Sequence, residues 1–253
     1  MTTLLVDIGN TRVKWALLRG TRLGRMQALA HGGEPAAFRR LVRSAPRDVT
    51  RVVAVSVAGA RLERALAGAV RTRFGVPVEF MSSARNAAGV RNGYRDTWRL
   101  GADRWVGVIA AHDIAGERHA VVANIGTALT VDAVTGDGRH LGGLITPGPS
   151  TMIDSLLSGT HGIRRRASGN RAGKAVPRGG FARDTANALS AGATLAAAAV
   201  VDRAMFEARA ALNATPLLLL TGGAAAQLRP YIKSPCRVVP DLVLRGLGVL
   251  ARG

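Results

Sequence analysis

Four polar side chains of different chemistry lie close together near the start of the chain. A carboxylate, an amide, a hydroxyl and an ammonium group belong to Asp7, Asn10, Thr11 and Lys14. A glycine turn and a hydroxyl can donate hydrogen bonds to phosphate oxygens, an ammonium group adds positive charge, and a carboxylate can hold hydrated Mg2+. The stretch therefore predicts a phosphate and magnesium site, and the alternative is a β-turn that is merely polar.

The flanking residues predict that this stretch is the turn of a β-hairpin. An apolar run from Leu4 to Val6 leads into it, and Val13, Trp15 and Leu17 then alternate with polar residues at the two-residue period of a strand. Gly9-Asn10 supplies two residues that tolerate a positive φ. We therefore expect exposed backbone N–H groups around the glycine to face phosphate.

A second strand, turn and strand resembles the first. Residues 119–134 read HAVVANIGTALTVDAV, in which Asn124-Ile125-Gly126 aligns with Asp7-Ile8-Gly9. Each such pattern is followed by helices and strands, which predicts a duplicated pair of α/β subdomains with facing phosphate-binding turns. We expect the two subdomains to cover residues 1–116 and 117–253.

Hydrophobic periodicity and turn residues predict the other elements. Helices are expected at Ala36 to Ser44, Leu62 to Val70, Gly101 onward, Ser150 to Ser158, Asp184 to Leu212 and Leu242 to Leu250. Strands are expected at Arg22 to Ala28, Arg51 to Val57, Val78 to Met81, Leu144 to Thr146 and Leu217 to Leu220. Residues 82–99, which include Tyr94 and Trp98, predict a loop that covers a site, and the basic, Gly-rich residues 162–180 predict a mobile surface segment.

Composition limits the class of protein. The chain has 253 residues, 47% of them hydrophobic, which suits a globular protein with a sizeable core. Its richest apolar run, Ala193 to Val201, is too short to span a bilayer, and the single Cys236 cannot form an internal disulfide. We therefore expect a cytoplasmic protein without a membrane segment.

The net charge of +19 raises nucleic-acid binding as an alternative. Lysine accounts for only three of the 35 basic residues, and the arginines are spread over nearly the whole chain. Aromatic residues, useful for stacking on bases, make up only 4%. A diffuse positive field that attracts anionic substrates explains the charge equally well.

Other motifs fail on spacing. GNRAGKA at residues 169–175 is one residue too short for a Walker A loop and has Ala where Ser or Thr should bind Mg2+. GDGRHLGG at residues 136–143 has the wrong glycine spacing for a dinucleotide loop and predicts a hairpin turn. The histidines have no metal-ligand spacing and are expected on the surface or in the core: His31, His112, His119, His140 and His161.

Four motifs in order resemble type III pantothenate kinase. They are DIGNTRVK at residues 7–14, LGADR at 100–104, GTALTVD at 126–132 and GGLITPG at 142–148, supported by Asp184-Thr185 and Thr221-Gly222-Gly223. The resemblance covers the whole chain. It implies the α/β fold of the acetate and sugar kinase, heat-shock chaperone ATPase and actin superfamily, with two ribonuclease-H-like domains, and a homodimer.

The resemblance implies ATP-dependent phosphorylation of the primary hydroxyl of pantothenate to 4'-phosphopantothenate, the first step toward coenzyme A. Residues implied to bind ATP are Asp7, Ile8, Gly9, Asn10, Thr11, Arg12, Val13, Lys14 and Thr127, with Asp7 on Mg2+ and Gly222-Gly223 near the adenosine. Residues implied to bind pantothenate are Tyr94, Gly101, Ala102, Asp103, Arg104 and Thr185. Asp103 would be the general base, and its structural alternative is a helix cap.

Two features leave alternatives open. Many family members have Asp where this chain has Asn124, at the position implied to hold an activating potassium or ammonium ion, and Asn supplies an oxygen without a charge. Asp132 is either a second acidic residue near the phosphates or a polar group at a strand end.

Two rival functions also stay open. One is a transcriptional regulator resembling Bvg accessory factor, which would use the basic charge to bind nucleic acid. The other is another small-molecule kinase or a polyphosphate hydrolase of the same fold.

Overall fold

The computed structural model describes residues 1–168, 176–177 and 179–252. The chain divides into two compact units. The first unit contains Met1–Glu117, Val134–Gly142 and Asp241–Gly253, and the second contains Arg118–Ala133 and Gly143–Pro240.

Thirteen strands and eight α-helices form in the part of the chain that the structure describes. The strands are β1 (Thr2–Ile8), β2 (Arg12–Arg19), β3 (Arg22–Leu23), β4 (Gln27–Ala30), β5 (Val49–Ser56), β6 (Val78–Phe80), β7 (Asn86–Ala87), β8 (Val90–Arg91), β9 (Ala120–Ile125), β10 (Ala128–Val134), β11 (His140–Pro147), β12 (Leu217–Thr221) and β13 (Cys236–Val238). The helices are α1 (Ala36–Ser44), α2 (Ala60–Phe74), α3 (Ala102–Ala115), α4 (Pro149–Gly159), α5 (His161–Ala167), α6 (Thr185–Leu212), α7 (Ala225–Leu228) and α8 (Leu242–Leu250).

The first unit is a sheet covered by helices on both faces. Its strand order is β3-β2-β1-β5-β6, with β4 also paired to β2. β1 runs antiparallel to β2 and parallel to β5, and each of its residues is buried. Alternate side chains of a strand point to opposite faces: Leu4 and Val6 pack in a core with Phe38 of α1 and Leu66 of α2, whereas Leu5 packs on α3 and α8.

The second unit repeats this strand order. Its sheet runs β11-β10-β9-β12-β13, so that β9 occupies the place of β1 and β12 the place of β5. As in the first unit, the central strand is parallel to the next strand in the order, which is parallel to the edge strand. The apolar residues of this sheet pack on buried alanines of α6. The repeated order is what a duplicated α/β unit predicts.

Two segments depart from the expected division after residue 116. Residues 134–142 and 241–253 belong to the first unit, although they follow the start of the second. The C-terminal segment returns because α8 buries Leu244 and Leu247 in the same core as Leu5 and Val106. A single division after residue 116 cannot describe a first unit that includes these later segments.

α6 begins at a cap and extends for 28 residues. The Asp184 carboxylate accepts the Asn187 N–H at 2.9 Å, as an N-cap residue does. By length and composition alone this helix could cross a membrane, and 39% of its most apolar window is buried. Because α6 packs its buried alanines in the core of the second unit, and a core helix passes the same test, this is weak evidence for a membrane span.

Two predicted elements differ in the structure. The strand expected at residues 22–28 is broken into β3 and β4, and between them the Gly24 N–H donates to the Leu17 carbonyl at 2.8 Å. Helix α5 (His161–Ala167) forms at the start of residues 162–180, where a surface segment without regular structure was expected. The GNRAGKA motif within it lies outside the described residues.

Candidate active site

The first polar turn is closed by its own backbone. The Gly9 N–H donates to the Arg12 carbonyl at 3.0 Å, and a Cβ atom on Gly9 would lie 3.3 Å from that oxygen. Gly9 and Asn10 both tolerate a positive φ, but neither has one. The glycine is therefore explained by close approach within the hairpin, and its own N–H is not one of the expected phosphate donors.

Asp7 lies at the end of β1, directly opposite Lys14 on β2. The pKa of its carboxyl is raised to about 6: burial raises it most, the nearby Lys14 charge lowers it, and the Asp103 carboxylate raises it. These effects require the three groups to lie within electrostatic range of one another. The structure thus brings together Asp7, Lys14 and Asp103, which are far apart in sequence.

Asp103 lies in the first turn of α3, whose N-cap residue is Gly101. Its Oδ1 accepts the Arg104 N–H at 2.8 Å. A Cβ atom on Gly101 would lie 2.9 Å from this same Oδ1, so the glycine leaves room for the carboxylate. The expected helix-cap role therefore applies only in part: Asp103 accepts a first-turn N–H but does not occupy the N-cap position.

Arg104 and Tyr94 form a pair beside Asp103. The buried Arg104 donates from Nη1 to the Tyr94 hydroxyl at 3.1 Å, and its guanidinium carbon lies 5.6 Å from the centre of the Tyr94 ring. Tyr94 also stacks on the buried His140, with ring centres 5.9 Å apart and planes 14° apart. Tyr94 is thus held in place by an arginine and a histidine.

The loop that carries Tyr94 is packed more closely than its sequence suggested. A Cβ atom on Gly93 would lie 2.1 Å from the His140 carbonyl oxygen, and one on Gly138 would lie 2.0 Å from the Gly89 carbonyl oxygen. The Arg91 N–H donates to the Gly138 carbonyl at 2.8 Å. Residues 134–142 therefore hold this loop through backbone contacts that only glycine permits.

In the second unit, the Gly126-Thr127 turn is held by the GGLITPG motif. The Thr127 carbonyl accepts the Gly148 N–H at 2.8 Å and the Thr151 hydroxyl at 2.6 Å. A Cβ atom on Gly148 would lie 2.0 Å from the Gly126 carbonyl oxygen. The last glycine of the motif therefore lets the start of α4 approach this turn, while the Thr127 side chain stays exposed.

Asn124 lies at the end of β9, opposite Thr221 on β12. Gly222 has φ +96°, and a Cβ atom on it would lie 2.6 Å from Asn124 Oδ1 and 2.4 Å from the Ile125 carbonyl oxygen. Two oxygens thus meet beside the Thr221-Gly222-Gly223 turn. Asp132 is buried within β10 and not at its end.

Thr185 is the first residue of α6 and lines an apolar cavity of about 400 Å³. The other walls come from α4, α5 and α6, through Met152, Ile153, Leu156, Ile163 and Leu189. The cavity belongs wholly to the second unit.

Within residues 1–168, 176–177 and 179–252, no group of three His, Cys, Asp or Glu side chains is placed to hold a metal ion. A single carboxylate such as Asp7 nevertheless suits Mg2+, which keeps several waters and is usually bound by one or two carboxylates plus substrate phosphates.

His31 is a contact that the sequence patterns did not indicate. It is buried, and its Nε2 lies 2.8 Å from the Gly9 carbonyl oxygen. It was expected on the surface or in the core because it has no metal-ligand spacing. Its contact with Gly9 was missed because the partner is a backbone atom 22 residues away. The two glycines that follow it, in a turn after β4, were the only local signal.

The chain is similar to type III pantothenate kinases over nearly its whole length. The model of that family matches residues 3–207. A type III pantothenate kinase from Chromobacterium violaceum is 40% identical, over 96% of this chain and 97% of its own. Another from Nitrosococcus oceani is 35% identical, over 98% of this chain and 93% of its own. The resemblance predicted from the four motifs is confirmed.

Solved structures share the fold at low identity. Component A of (R)-2-hydroxyglutaryl-CoA dehydratase from Acidaminococcus fermentans has a TM-score of 0.57 at 14% identity, over 100% of this chain and 97% of its own. A putative 2-dehydro-3-deoxygalactonokinase from Sinorhizobium meliloti has a TM-score of 0.57 at 15% identity, over 99% and 98%. Together with the repeated sheet order, these likenesses confirm the predicted fold of duplicated ribonuclease-H-like domains.

Proposed function

The chain belongs to the type III pantothenate kinase family, and from that premise we propose that it transfers the γ-phosphate of ATP to the primary hydroxyl of pantothenate. The observation that carries this proposal is the grouping of Asp7, Lys14 and Asp103 in the first unit. Two carboxylates and an ammonium group supply a metal ligand, a proton acceptor and a charge for phosphate, which are the parts that phosphoryl transfer needs. The product, 4'-phosphopantothenate, is the first intermediate on the way to coenzyme A.

On the ATP side, residues 7–14 receive the phosphates. Asp7 would hold Mg2+, which when bound draws negative charge from the phosphate oxygens. A divalent cation favours the ionised carboxylate, so its binding would offset the burial that raises the Asp7 pKa. Lys14 adds a positive charge, Thr127 contacts ATP from the Gly-Thr turn of the second unit, and Gly222-Gly223 lies near the adenosine.

On the acceptor side, Asp103 takes the proton of the pantothenate hydroxyl. The hydroxyl oxygen forms a bond to the γ-phosphorus, the bond from that phosphorus to the bridging oxygen breaks, and ADP leaves with the electron pair. Pantothenate carries a carboxylate, and the buried Arg104 is a cation at every physiological pH. Tyr94, Gly101, Ala102 and Thr185 complete the pantothenate contacts.

A monovalent cation, potassium or ammonium, would bind beside Asn124. The Asn124 amide oxygen and the Ile125 carbonyl oxygen lie together next to Gly222, which lacks the side chain that would fill that space. Neutral oxygens suit a large monovalent ion, and the missing carboxylate makes the site weaker than one with Asp at this position.

A homodimer in the cytoplasm is part of the proposal. The second unit exposes apolar side chains that a partner chain could cover: Leu144, Ile145, Leu156 and Leu195. Leu156 also borders the cavity that Thr185 lines. A single unpaired Cys236 suits a reducing compartment.

A coupled assay of ADP release tests the proposed function. We expect release to require both Mg2+ and pantothenate, and mass spectrometry to find one phosphoryl group added to pantothenate. Other alcohols offered at the same concentration test the rival hypothesis of another small-molecule kinase. Release that is equal without pantothenate, or faster with another acceptor, contradicts the proposal. The regulator hypothesis has no support in the relatives reported above, which are type III pantothenate kinases.

A further inference from the structure

Both ring nitrogens of His31 are bound to backbone groups. Nε2 lies 2.8 Å from the Gly9 carbonyl oxygen, and Nδ1 accepts the Gly33 N–H at 3.0 Å. A carbonyl oxygen only accepts and an amide N–H only donates, so Nε2 carries the hydrogen and Nδ1 carries none. These two partners therefore require the neutral ring in one tautomer.

The backbone of His31 holds the same turn. Its N–H donates to the Thr11 carbonyl at 3.2 Å, so one residue binds carbonyls on both sides of Asn10. The ring is buried and packs against the Phe38 ring of α1, with centres 6.4 Å apart. Gly33 is tied in turn to α2, because its carbonyl accepts a hydrogen bond from Arg61.

The geometry of the peptide group links these two hydrogen bonds to the directions of the Asn10 and Arg12 N–H groups. In a trans peptide the C=O and the N–H point in opposite directions. When His31 holds the Gly9 carbonyl, it directs the Asn10 N–H away from itself. When it holds the Thr11 carbonyl, it directs the Arg12 N–H in the same way. The Gly9 N–H is already used within the hairpin, so we take the Asn10 and Arg12 N–H groups as phosphate donors of this turn.

We propose that His31 is a positioning residue for ATP: through the Gly9 and Thr11 carbonyls it sets the peptide planes of the phosphate-binding turn. This inference rests on the proposed function, because it takes the turn as the phosphate site. His31 does not itself touch the nucleotide. Its loss should therefore weaken ATP binding while leaving the pantothenate side unchanged.

Three substitutions separate this role from simple packing. His31→Phe keeps a buried ring and removes both side-chain hydrogen bonds. His31→Asn retains an acceptor near Nδ1 and removes the donor to Gly9, whereas His31→Gln places a donor near Nε2. We expect roughly tenfold weaker binding of MgATP by the Phe and Asn variants, since one such hydrogen bond contributes about that factor. The Gln variant should recover most of the loss.

Calorimetric titration with MgATP, without pantothenate, gives the affinity directly, and steady-state kinetics give both KM values. The control is His112→Phe, which removes a similar ring contact to the Gly136 carbonyl at 3.1 Å, outside the turn. We expect it to leave MgATP affinity unchanged. In the Phe and Asn variants of His31, the KM for ATP should rise while the KM for pantothenate stays constant.

Two results would overturn the inference. One is wild-type MgATP affinity in a folded Phe variant. The other is that all three variants lose the same amount of MgATP affinity and melt at the same lowered temperature, with no recovery in the Gln variant. His31 would then be a packing residue only. The proposed function fails separately, through a wild-type protein that releases no ADP with pantothenate, and MgATP titration still reports on His31 in that case.

Discussion

Asp7 is a carboxylate that the fold holds in an unfavourable charge state. Its pKa is raised from 3.8 to about 6, chiefly by burial. One pKa unit corresponds to about 1.36 kcal/mol, so the ionised form costs about 3 kcal/mol relative to a carboxylate in water. This cost already includes the favourable charge of Lys14. A buried charge with a strongly shifted pKa is typical of functional sites.

The cost predicts how stability changes with pH. Because the folded chain binds this proton more tightly, the stabilising effect of Asp7 is present below pH 3.8 and is lost as the pH rises through about 6. Asp7→Asn lacks the charge, so it should become more stable than the wild type by up to about 3 kcal/mol between pH 4 and 7. Urea unfolding of both proteins at each pH measures the difference in their free energies of unfolding. The contributions of other titrating groups cancel in that difference. A constant difference would show that Asp7 is not desolvated.

Asp103 supplies a second prediction for one residue. Asp103→Asn keeps the shape and an oxygen that can accept the Arg104 N–H, so stability should change little. The variant cannot accept the hydroxyl proton, and kcat should fall by about 10²–10⁴-fold with the KM for ATP nearly unchanged. Steady-state kinetics on the folded variant test this. A near-normal kcat would make Asp103 a structural residue and the assigned mechanism wrong.

Asn124 supplies a third. Asn124→Asp adds a negative charge beside the Ile125 carbonyl oxygen, so activation by potassium or ammonium should occur at lower concentration. Rates titrated with each cation for both proteins give the activation constants. Superimposable curves would remove Asn124 from the proposed cation site or show that its charge is immaterial.

At the scale of elements, α8 carries two glycines in different surroundings. A Cβ atom on Gly246 would lie 2.1 Å from the Val106 carbonyl oxygen of α3, whereas one on Gly248 would make an ordinary contact of 3.6 Å with Leu5. The first glycine therefore lets two helices approach closely, and the second has no such reason.

These surroundings predict opposite effects in one helix. Gly246→Ala forces the backbones of α3 and α8 apart and should destabilise the protein by about 1–3 kcal/mol. Gly248→Ala, the matched control, gains helix propensity and should stabilise it by up to about 1 kcal/mol. Thermal and urea unfolding compare the two. Equal shifts of the same sign would contradict the close packing of α3 against α8.

The elements that sequence predicted well are those with strong local signals. Helices α1 and α8 have the predicted bounds, because apolar residues mark both segments and Pro46 follows shortly after the end of α1. The prediction of one strand over residues 22–28 was wrong, because a hydrogen bond from the Gly24 N–H to the Leu17 carbonyl interrupts the strand. α5 was missed because a short basic, Gly-flanked stretch carries no periodic signal.

The residue types of the site could be predicted from the sequence, but the contacts that hold those residues in place could not. Asp7 and Lys14 follow from a local turn pattern, and the register of β1 and β2 does place them opposite each other. His31, Gly148 and His140 act on backbone or ring atoms far along the chain. Such contacts leave no spacing rule in the sequence, since every residue has the backbone atoms that His31 and Gly148 contact, and the Tyr94 ring that stacks on His140 lies far away along the chain.

For the whole molecule, duplication supplies the same turn twice with different chemistry. Asp7 is the next-to-last residue of β1, and its counterpart Asn124 has the same place in β9. One unit thus offers a carboxylate that suits Mg2+, and the other an amide oxygen that suits a monovalent ion. The net charge of +19 adds a positive field that draws anionic ATP and pantothenate toward either unit.

The proposed homodimer predicts that the GADR segment of one chain and Thr185 of its partner serve the same pocket. We choose Asp103→Asn in the first unit and Thr185→Phe at the start of α6, each expected to be nearly inactive alone. In a heterodimer of the two variants, one pocket would carry both changes and the other would carry neither. Each heterodimer would then have one intact site, whereas each homodimer of a variant would have none.

Unfolding and refolding an equal mixture of the two variants tests the shared pocket. Random pairing makes about half of the dimers mixed, so about one quarter of wild-type activity should return, in proportion to the heterodimer fraction. Differently tagged chains and tandem purification verify that fraction. A mixture of Asp103→Asn with Arg104→Ala is the control, because two changes in the same segment leave no intact pocket in any shared arrangement. Verified heterodimers without activity would place each pocket within a single chain.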